Sequence, residues 1–242
     1  MVFNTVKAIC LLTILSASAQ VNAYALGSTV PGKWGPAAFG TGAMVSYSFM
    51  ATGVGCDTAP EEAGCSISAL DEFMPIGYRA EIVKAFNAWS AVANIIFTEI
   101  TDDGVPFNES TLSGDIRIGG HAFDGEGNTI AHTFFAPVNG LTASGDLHFD
   151  VAENWKIGFG GPGVDIFQVA AHEIGHAIGL AHTDVAGSLL EPFYTEDFVG
   201  PQADDIEGAI FIYGSAVVPL PGALWLFLSG IGALFMMQRP ET

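Results

Sequence analysis

The chain has 242 residues, of which 26 are acidic and seven basic, for a formal net charge of −19. A field of that sign repels nucleic acid and anionic membrane surfaces and attracts cations. Half of the residues are hydrophobic and 11% are aromatic, which excludes a disordered acidic segment and suits one packed domain of moderate size.

The N-terminus reads as an export signal. Lys7 is followed by an apolar run over 8–15 and by the small residues Ala17-Ser18-Ala19 and Val21-Asn22-Ala23. That order of cation, short apolar run and small residues predicts cleavage after Ala23, with Ala19 as the second choice. The run is too short to span a bilayer as a mature helix. Cys10 would leave with the signal. Taking 1–23 and 216–242 as processing segments leaves five basic and 25 acidic residues, a net charge of −20.

No internal repeat or low-complexity linker interrupts 24–215, so one domain is expected there. Residues 27–42 are rich in glycine and proline and read as irregular. Over 43–49 the apolar residues alternate as in a strand, with Val45, Tyr47 and Phe49 on one face. Cys56 and Cys65 enclose DTAPEEAG. In an exported protein such an even pair is expected to form one short-loop disulfide, two free thiols being the other option. No histidine or further cysteine lies between them, which argues against a zinc knuckle.

A helix is predicted over 76–93, where Ile82, Ala85, Phe86, Trp89 and Ala93 recur at helical spacing. Strands are expected over 95–100, 115–118, 130–135 and 146–149, with turn residues Pro137, Asn139 and Gly140 between the last two. A second helix starts at Asp165, which can cap it, with Gln168 three residues on as in a capping box. Ile166, Val169, Ala170 and Ile174 form its apolar stripe, and Gly179 should end it. A last helix follows Pro201, with Asp204 and Asp205 at its positive end, and stops at Gly214. Strands with interspersed helices indicate an α+β or mixed α/β domain.

Residues 222–237 form a charge-free apolar run followed by Arg239, a marginal membrane span by length. Val218-Pro219-Leu220-Pro221, Trp225-Leu226-Phe227 and Ser229-Gly230 resemble the PEP-CTERM family of bacterial sorting tails. That family usually ends in several basic residues, and here Arg239 stands alone. The resemblance implies a Gram-negative bacterium that exports the protein and trims the tail at its inner membrane, with transient membrane association. An ordinary C-terminal anchor is the alternative.

The chemistry is concentrated in HEIGHAIGLAH, residues 172–182. His172 and His176 are four apart, so on a helix they project from one face and can reach one zinc. Glu173 stands beside the first ligand, where it can take a proton from water. Gly179 allows a sharp exit that brings His182 back as a third ligand. Three neutral imidazoles leave the fourth place to solvent, the mark of a catalytic rather than a structural zinc.

With these residues stated, the chain resembles the matrixin branch of the metzincins, the matrix metalloproteinase-like catalytic domain. The likeness runs over about 33–214. It is carried by KW at 33–34, VSYSF at 45–49, AFNAWSAVANIIFTEI at 85–100, GDIRIGG at 114–120, FDGEGNTIAHTFFAP at 123–137, GDLHFDVAENW at 145–155, the zinc motif, and ADDIEGAIFIYG at 203–214. The resemblance implies a twisted five-stranded sheet, three helices and an active-site cleft across the domain. It also puts Leu190 where a methionine beneath the zinc is usual.

Two further metal sites follow from the same resemblance. A calcium site would use Asp124, Asp150 and Glu153 with carbonyls of the 125–129 loop, an all-oxygen set that suits this cation. A structural zinc would use His132 and His148, but the family's earlier His-x-Asp positions fall near Arg117 and Gly119, which cannot serve, leaving His121 as a substitute. The implied activity is zinc-assisted hydrolysis of a protein or peptide substrate laid against the edge strand at 130–135. Pro192, Phe193 and Tyr194 would form one wall of an apolar specificity pocket. A monomer is expected, secreted or held at the cell surface or extracellular matrix. The rival expectation is a surface-associated metal-binding protein with weak or no peptidase activity. A serralysin-like branch is disfavoured because glycine-aspartate calcium repeats are missing.

Overall fold

The computed structural model describes residues 24–56, 64–107, 109–137 and 143–217. The expected signal over 1–23, the sorting motif and apolar tail from Val218 onward, and the turn residues Asn139 and Gly140 lie outside these. Among the described residues, no helix is long and apolar enough to cross a membrane.

In chain order the elements are β1 (Ala25–Leu26), β2 (Ala43–Phe49), α1 (Tyr78–Val92), β3 (Ile95–Glu99), β4 (Ile116–His121), β5 (Ala131–Thr133), β6 (Leu147–Asp150), β7 (Trp155–Lys156), β8 (Val164–Asp165), α2 (Ile166–Ala177), β9 (Leu180–Ala181) and α3 (Ala203–Tyr213). The main sheet has five strands in the order β3-β2-β4-β6-β5. Its first four strands run parallel and β5 pairs antiparallel with β6, placing β5 at an edge. Two-residue ladders join β1 to β9 and β7 to β8. This is the mixed α+β class expected, with five sheet strands and three helices.

Helix α1 begins at Tyr78, two residues later than its apolar spacing suggests. Gly77 has φ 103°, a left-handed backbone outside the helical region, so the helix can start only after it. Ile82, Ala85, Phe86 and Trp89 are buried on one face. The Trp89 indole N–H donates to the Ala171 carbonyl at 2.9 Å, tying α1 to α2.

Strand β2 follows the expected alternation except at its end. Phe49 is half-buried, whereas Ser48 on the opposite face is fully buried. The Ser48 hydroxyl explains this: it donates to Asp102 at 2.8 Å and accepts from the Gly114 N–H at 3.1 Å. Strand β4 extends through Gly119 and Gly120, past the expected end at 118. Side chains there would collide with neighbours, since a Cβ on Gly120 would lie 2.5 Å from the Phe73 ring.

Helix α2 is almost wholly buried. Its N-cap is Asp165, whose carboxylate accepts from the Gln168 N–H at 2.9 Å. The reciprocal half of the expected capping box is absent, because the Gln168 side chain instead accepts from Gly200 N–H at 2.9 Å. At the other end, helical carbonyls lack intrahelical partners. Trp34 donates to the Ala177 carbonyl at 2.8 Å and the Tyr213 hydroxyl to that of Ile178 at 2.9 Å. Gly179 then turns the chain with φ 108°; a Cβ there would sit 2.1 Å from the Gly32 carbonyl oxygen.

Candidate metal centre

His172 and His176 project from one face of α2, and the turn at Gly179 returns the chain through β9 so that His182 faces them. The Nε2 atom of His172 lies 3.1 Å from Nε2 of His182 and 3.1 Å from Nε2 of His176. All three rings bring a nitrogen within 4.8 Å of the others.

The tautomers follow from the backbone. Nδ1 of His172 faces the Leu189 carbonyl at 2.7 Å, and Nδ1 of His176 faces the Leu180 carbonyl at 2.8 Å. A carbonyl only accepts, so each Nδ1 carries the hydrogen and each Nε2 presents a lone pair. Burial pushes His172 down to about 4 and His176 down to about 3, and lowers His182 as well. Neutral rings with converging lone pairs repel unless a cation lies between them. Zn–N bonds of ~2.0–2.1 Å in a tetrahedral set put nitrogens about 3.3 Å apart, close to the separations found. The donor set fits a zinc ion.

Glu173 is next to His172 and 6% exposed. Its carboxylate accepts a 2.9 Å hydrogen bond from the Thr133 hydroxyl of edge strand β5. Burial raises this carboxyl to about 7, with the Thr133 bond acting in the opposite direction. Glu173 borders a cleft of about 260 Å³ whose lining also includes His172, His182, Ala131, Leu189, Pro192, Phe193 and Tyr194. Phe193 is 83% exposed at the rim. Tyr194 is held from two sides: its hydroxyl accepts from the Asp165 N–H at 2.7 Å and donates to Glu196 at 2.6 Å.

Gln168, Asn128, Thr129 and Thr195 also line the cleft and are missing from the sequence expectation. Gln168 had a usable signal, since it lies four residues before His172 on the same helical face.

The profile of the matrixins, peptidase M10, matches residues 64–214. The chain belongs to the matrixin family. It is 38% identical to stromelysin-3 of Xenopus laevis over 148 residues, 59% of this chain and 29% of the relative. It is 39% identical to the hatching enzyme of Paracentrotus lividus over 146 residues, 56% of this chain and 22% of the relative. It is also 39% identical to the interstitial collagenase of Sus scrofa over 141 residues, 57% of this chain and 29% of the relative. The chain spans less than a third of the length of these relatives.

In this matrixin the floor beneath the histidines is Leu190, 2% exposed. A Cβ on Gly175 of α2 would lie 3.0 Å from the Leu190 side chain, so the leucine fills the space up to the helix backbone. Asp205 of α3 carries more than the helix-end charge expected of it. Its carboxylate accepts from Leu189 N–H at 2.7 Å, Leu190 N–H at 3.1 Å and Gln202 N–H at 2.8 Å, and from the Ser188 hydroxyl.

The structure also gathers His121, His132 and His148, with one nitrogen of each within 4.8 Å of the others. They sit on β4, β5 and β6, where His132 and His148 are direct cross-strand partners. His132 Nε2 and His148 Nδ1 are 3.1 Å apart, and the buried His148 Nε2 has no hydrogen-bond partner among the described residues. Arg117 is 1% exposed and forms a two-pronged pair with Asp102 at 2.8 and 2.7 Å.

The acidic trio is less concentrated. Asp124, Asp150 and Glu153 do not form a set whose oxygens all lie within 4.8 Å, as the histidines do. Glu153 accepts from Gly127 N–H at 2.7 Å and Asp124 from Thr129 N–H at 3.4 Å. The Asp150 Oδ2 atom is buried without a hydrogen-bond partner among the described residues.

Proposed function

We propose that this matrixin is an exported zinc endopeptidase in which Glu173 handles the proton of peptide hydrolysis. The observation that carries this is the convergence of three imidazole Nε2 atoms, two of them fixed as bare lone pairs, beside a buried carboxylate that opens on a cleft. His172, His176 and His182 would hold the zinc. When bound there, the ion lowers the pKa of water and polarises a carbonyl.

Glu173 accepts a proton from the attacking water and delivers it to the leaving nitrogen as the C–N bond breaks. Its burial suits both duties, because a carboxyl pushed up to about 7 holds and releases a proton near neutrality. Thr133 orients the carboxylate from β5. Among the described residues that strand has a neighbour on one side only, so an extended peptide can add to its other edge through backbone hydrogen bonds. Pro192, Phe193 and Tyr194 wall the pocket, and their apolar surfaces favour an apolar side chain after the cut.

Two further cation sites belong to the proposal. The orphaned His148 nitrogen supports a second zinc at His121, His132 and His148. The orphaned Asp150 oxygen supports calcium near Asp124, Asp150 and Glu153. The signal-like 1–23 and the tail-like 216–242 support export from a Gram-negative cell; the substrates would be proteins or peptides and the enzyme a monomer.

The test is removal and return of the metal. A chelator should abolish casein cleavage by the purified protein, and stoichiometric zinc should restore it. A protein that takes up zinc at the His172 centre without cleaving any substrate would favour the surface metal-binding alternative.

A further inference from the structure

The segment carrying Cys56 and Cys65 forms a hairpin seated on β4. Gly55 bridges Ser66, the Cys56 N–H donates to the Cys65 carbonyl at 3.2 Å, and Ile67 N–H to that of Val54 at 2.8 Å. Ser68 and Gly120 exchange backbone hydrogen bonds of 2.7 and 3.1 Å, fastening the hairpin to the strand one residue before His121. Gly119 allows the close fit, since a Cβ there would lie 2.8 Å from Ile67 and 2.9 Å from Met50.

Cys56 and Cys65 form a disulfide with a Cα–Cα distance of 5.1 Å. Both sulfurs lie within 4.8 Å of each other and of one His121 ring nitrogen. The ladder and the attachment to β4 are made by main-chain hydrogen bonds in addition to the S–S bond. These bonds would keep the two thiols beside the imidazole after reduction. A zinc with Zn–S bonds of ~2.3 Å needs sulfurs about 3.8 Å apart, a spacing that side-chain rotation on this backbone can supply.

We propose that the Cys56–Cys65 bridge masks a redox-gated thiolate site, in which the reduced cysteines and His121 together hold one soft divalent cation such as zinc. A dithiol supplies two electrons and two protons; the S–S bond breaks and the dithiol leaves as its cyclic disulfide. On capture of the cation both thiol protons pass to solvent, and two sulfur bonds and one nitrogen bond to the ion form. His121 also belongs to the cluster with His132 and His148, so reduction draws that ring toward sulfur-rich coordination. Thiolates favour softer cations than do imidazoles alone, which distinguishes this site from the His172 centre.

The test uses the full chain with its His172 centre loaded with zinc, and cobalt(II) as the probe. A trialkylphosphine reduces the bridge, taking oxygen from water to become the phosphine oxide while the sulfurs gain the hydrogens. Cobalt should then give thiolate-to-metal charge-transfer absorption in the near ultraviolet, absent from the oxidised protein. The C56S/C65S double variant should lack that absorption under the same reductant, and His121→Ala should weaken cobalt binding at least tenfold. If the double variant does not fold, reduced protein alkylated at both thiols replaces it and should also lack the band. Two titratable thiols in the reduced protein with no thiolate absorption on adding cobalt would overturn the proposal. So would the same absorption in the double variant or in the alkylated protein.

Discussion

His172 and Asp205 hold the two ends of one peptide unit, that joining Leu189 to Leu190. Nδ1 of His172 donates to its carbonyl at 2.7 Å, and its N–H donates to the Asp205 carboxylate at 3.1 Å. A residue on α3 thereby sets the tautomer and orientation of a ring on α2. Asp205→Asn should keep the fold and weaken zinc binding by roughly 10–100-fold, the range for removing a partner that orients a ligand. Competition with a chromogenic chelator measures this, and unchanged affinity would remove Asp205 from that role.

Leu190 tests how much the floor matters. Leu190→Met conserves volume and should change stability by less than about 1.5 kcal/mol. Leu190→Ala leaves a cavity against Gly175 and should cost about 2–5 kcal/mol. Thermal or urea unfolding of the zinc-loaded proteins distinguishes the two. A large loss in the methionine variant would mean that the pocket is shaped specifically for leucine.

Glu196 anchors the Tyr194 side of the cleft, the wall proposed to set specificity. Its carboxylate accepts from Tyr194, from Gly160 N–H at 2.6 Å and from Lys156 Nζ at 2.6 Å. The Gly160 N–H, with Lys156 and Tyr194, holds this half-buried carboxyl down to about 2. The wall should therefore keep its charge pattern from pH 8 down to ~4, since ionisation is complete about two units above a pKa. Peptide-library profiles should match across that range in the wild type. In Glu196→Gln the preference at the pocket position should broaden, and an unaltered profile would show that Tyr194 is positioned by other contacts.

Much of the sheet and helices is legible because apolar spacing records burial. Val45 and Tyr47 on β2, and Ile82, Phe86 and Trp89 on α1, all reach the core at the expected period. The metal helix is legible for a chemical reason, as imidazoles four apart have few packing uses. What the sequence hides is where polar side chains find distant partners. Gln168 is read as a capping residue, yet its side chain binds Gly200, 32 positions away. Arg117 is set aside as unfit to bind metal, but it pairs with Asp102, whose partner local periodicity cannot name.

That pair predicts a pH response. Burial alone would raise the Asp102 carboxyl, but hydrogen bonds from Arg117, Ser48 and Gly104 outweigh it and hold the group below the usual range. A depressed carboxyl contributes stability above its unfolded value, ~3.9, and loses it as pH falls through its folded value. Asp102→Asn leaves Arg117 buried beside a neutral partner and should cost about 3–5 kcal/mol at pH 7. The gap between wild type and variant should narrow below about pH 4. Urea unfolding across pH 3–7 checks this, and a constant gap would contradict it.

The most direct measurement compares hydrolysis of one fluorogenic peptide by wild-type protein and Glu173→Ala at matched zinc content. Loss of the proton carrier should lower kcat by about 10²–10⁴-fold while one zinc per His172 centre is retained. Equal turnover by the two proteins, each carrying its zinc, would contradict the role proposed for Glu173 and with it the proposed hydrolysis at this centre.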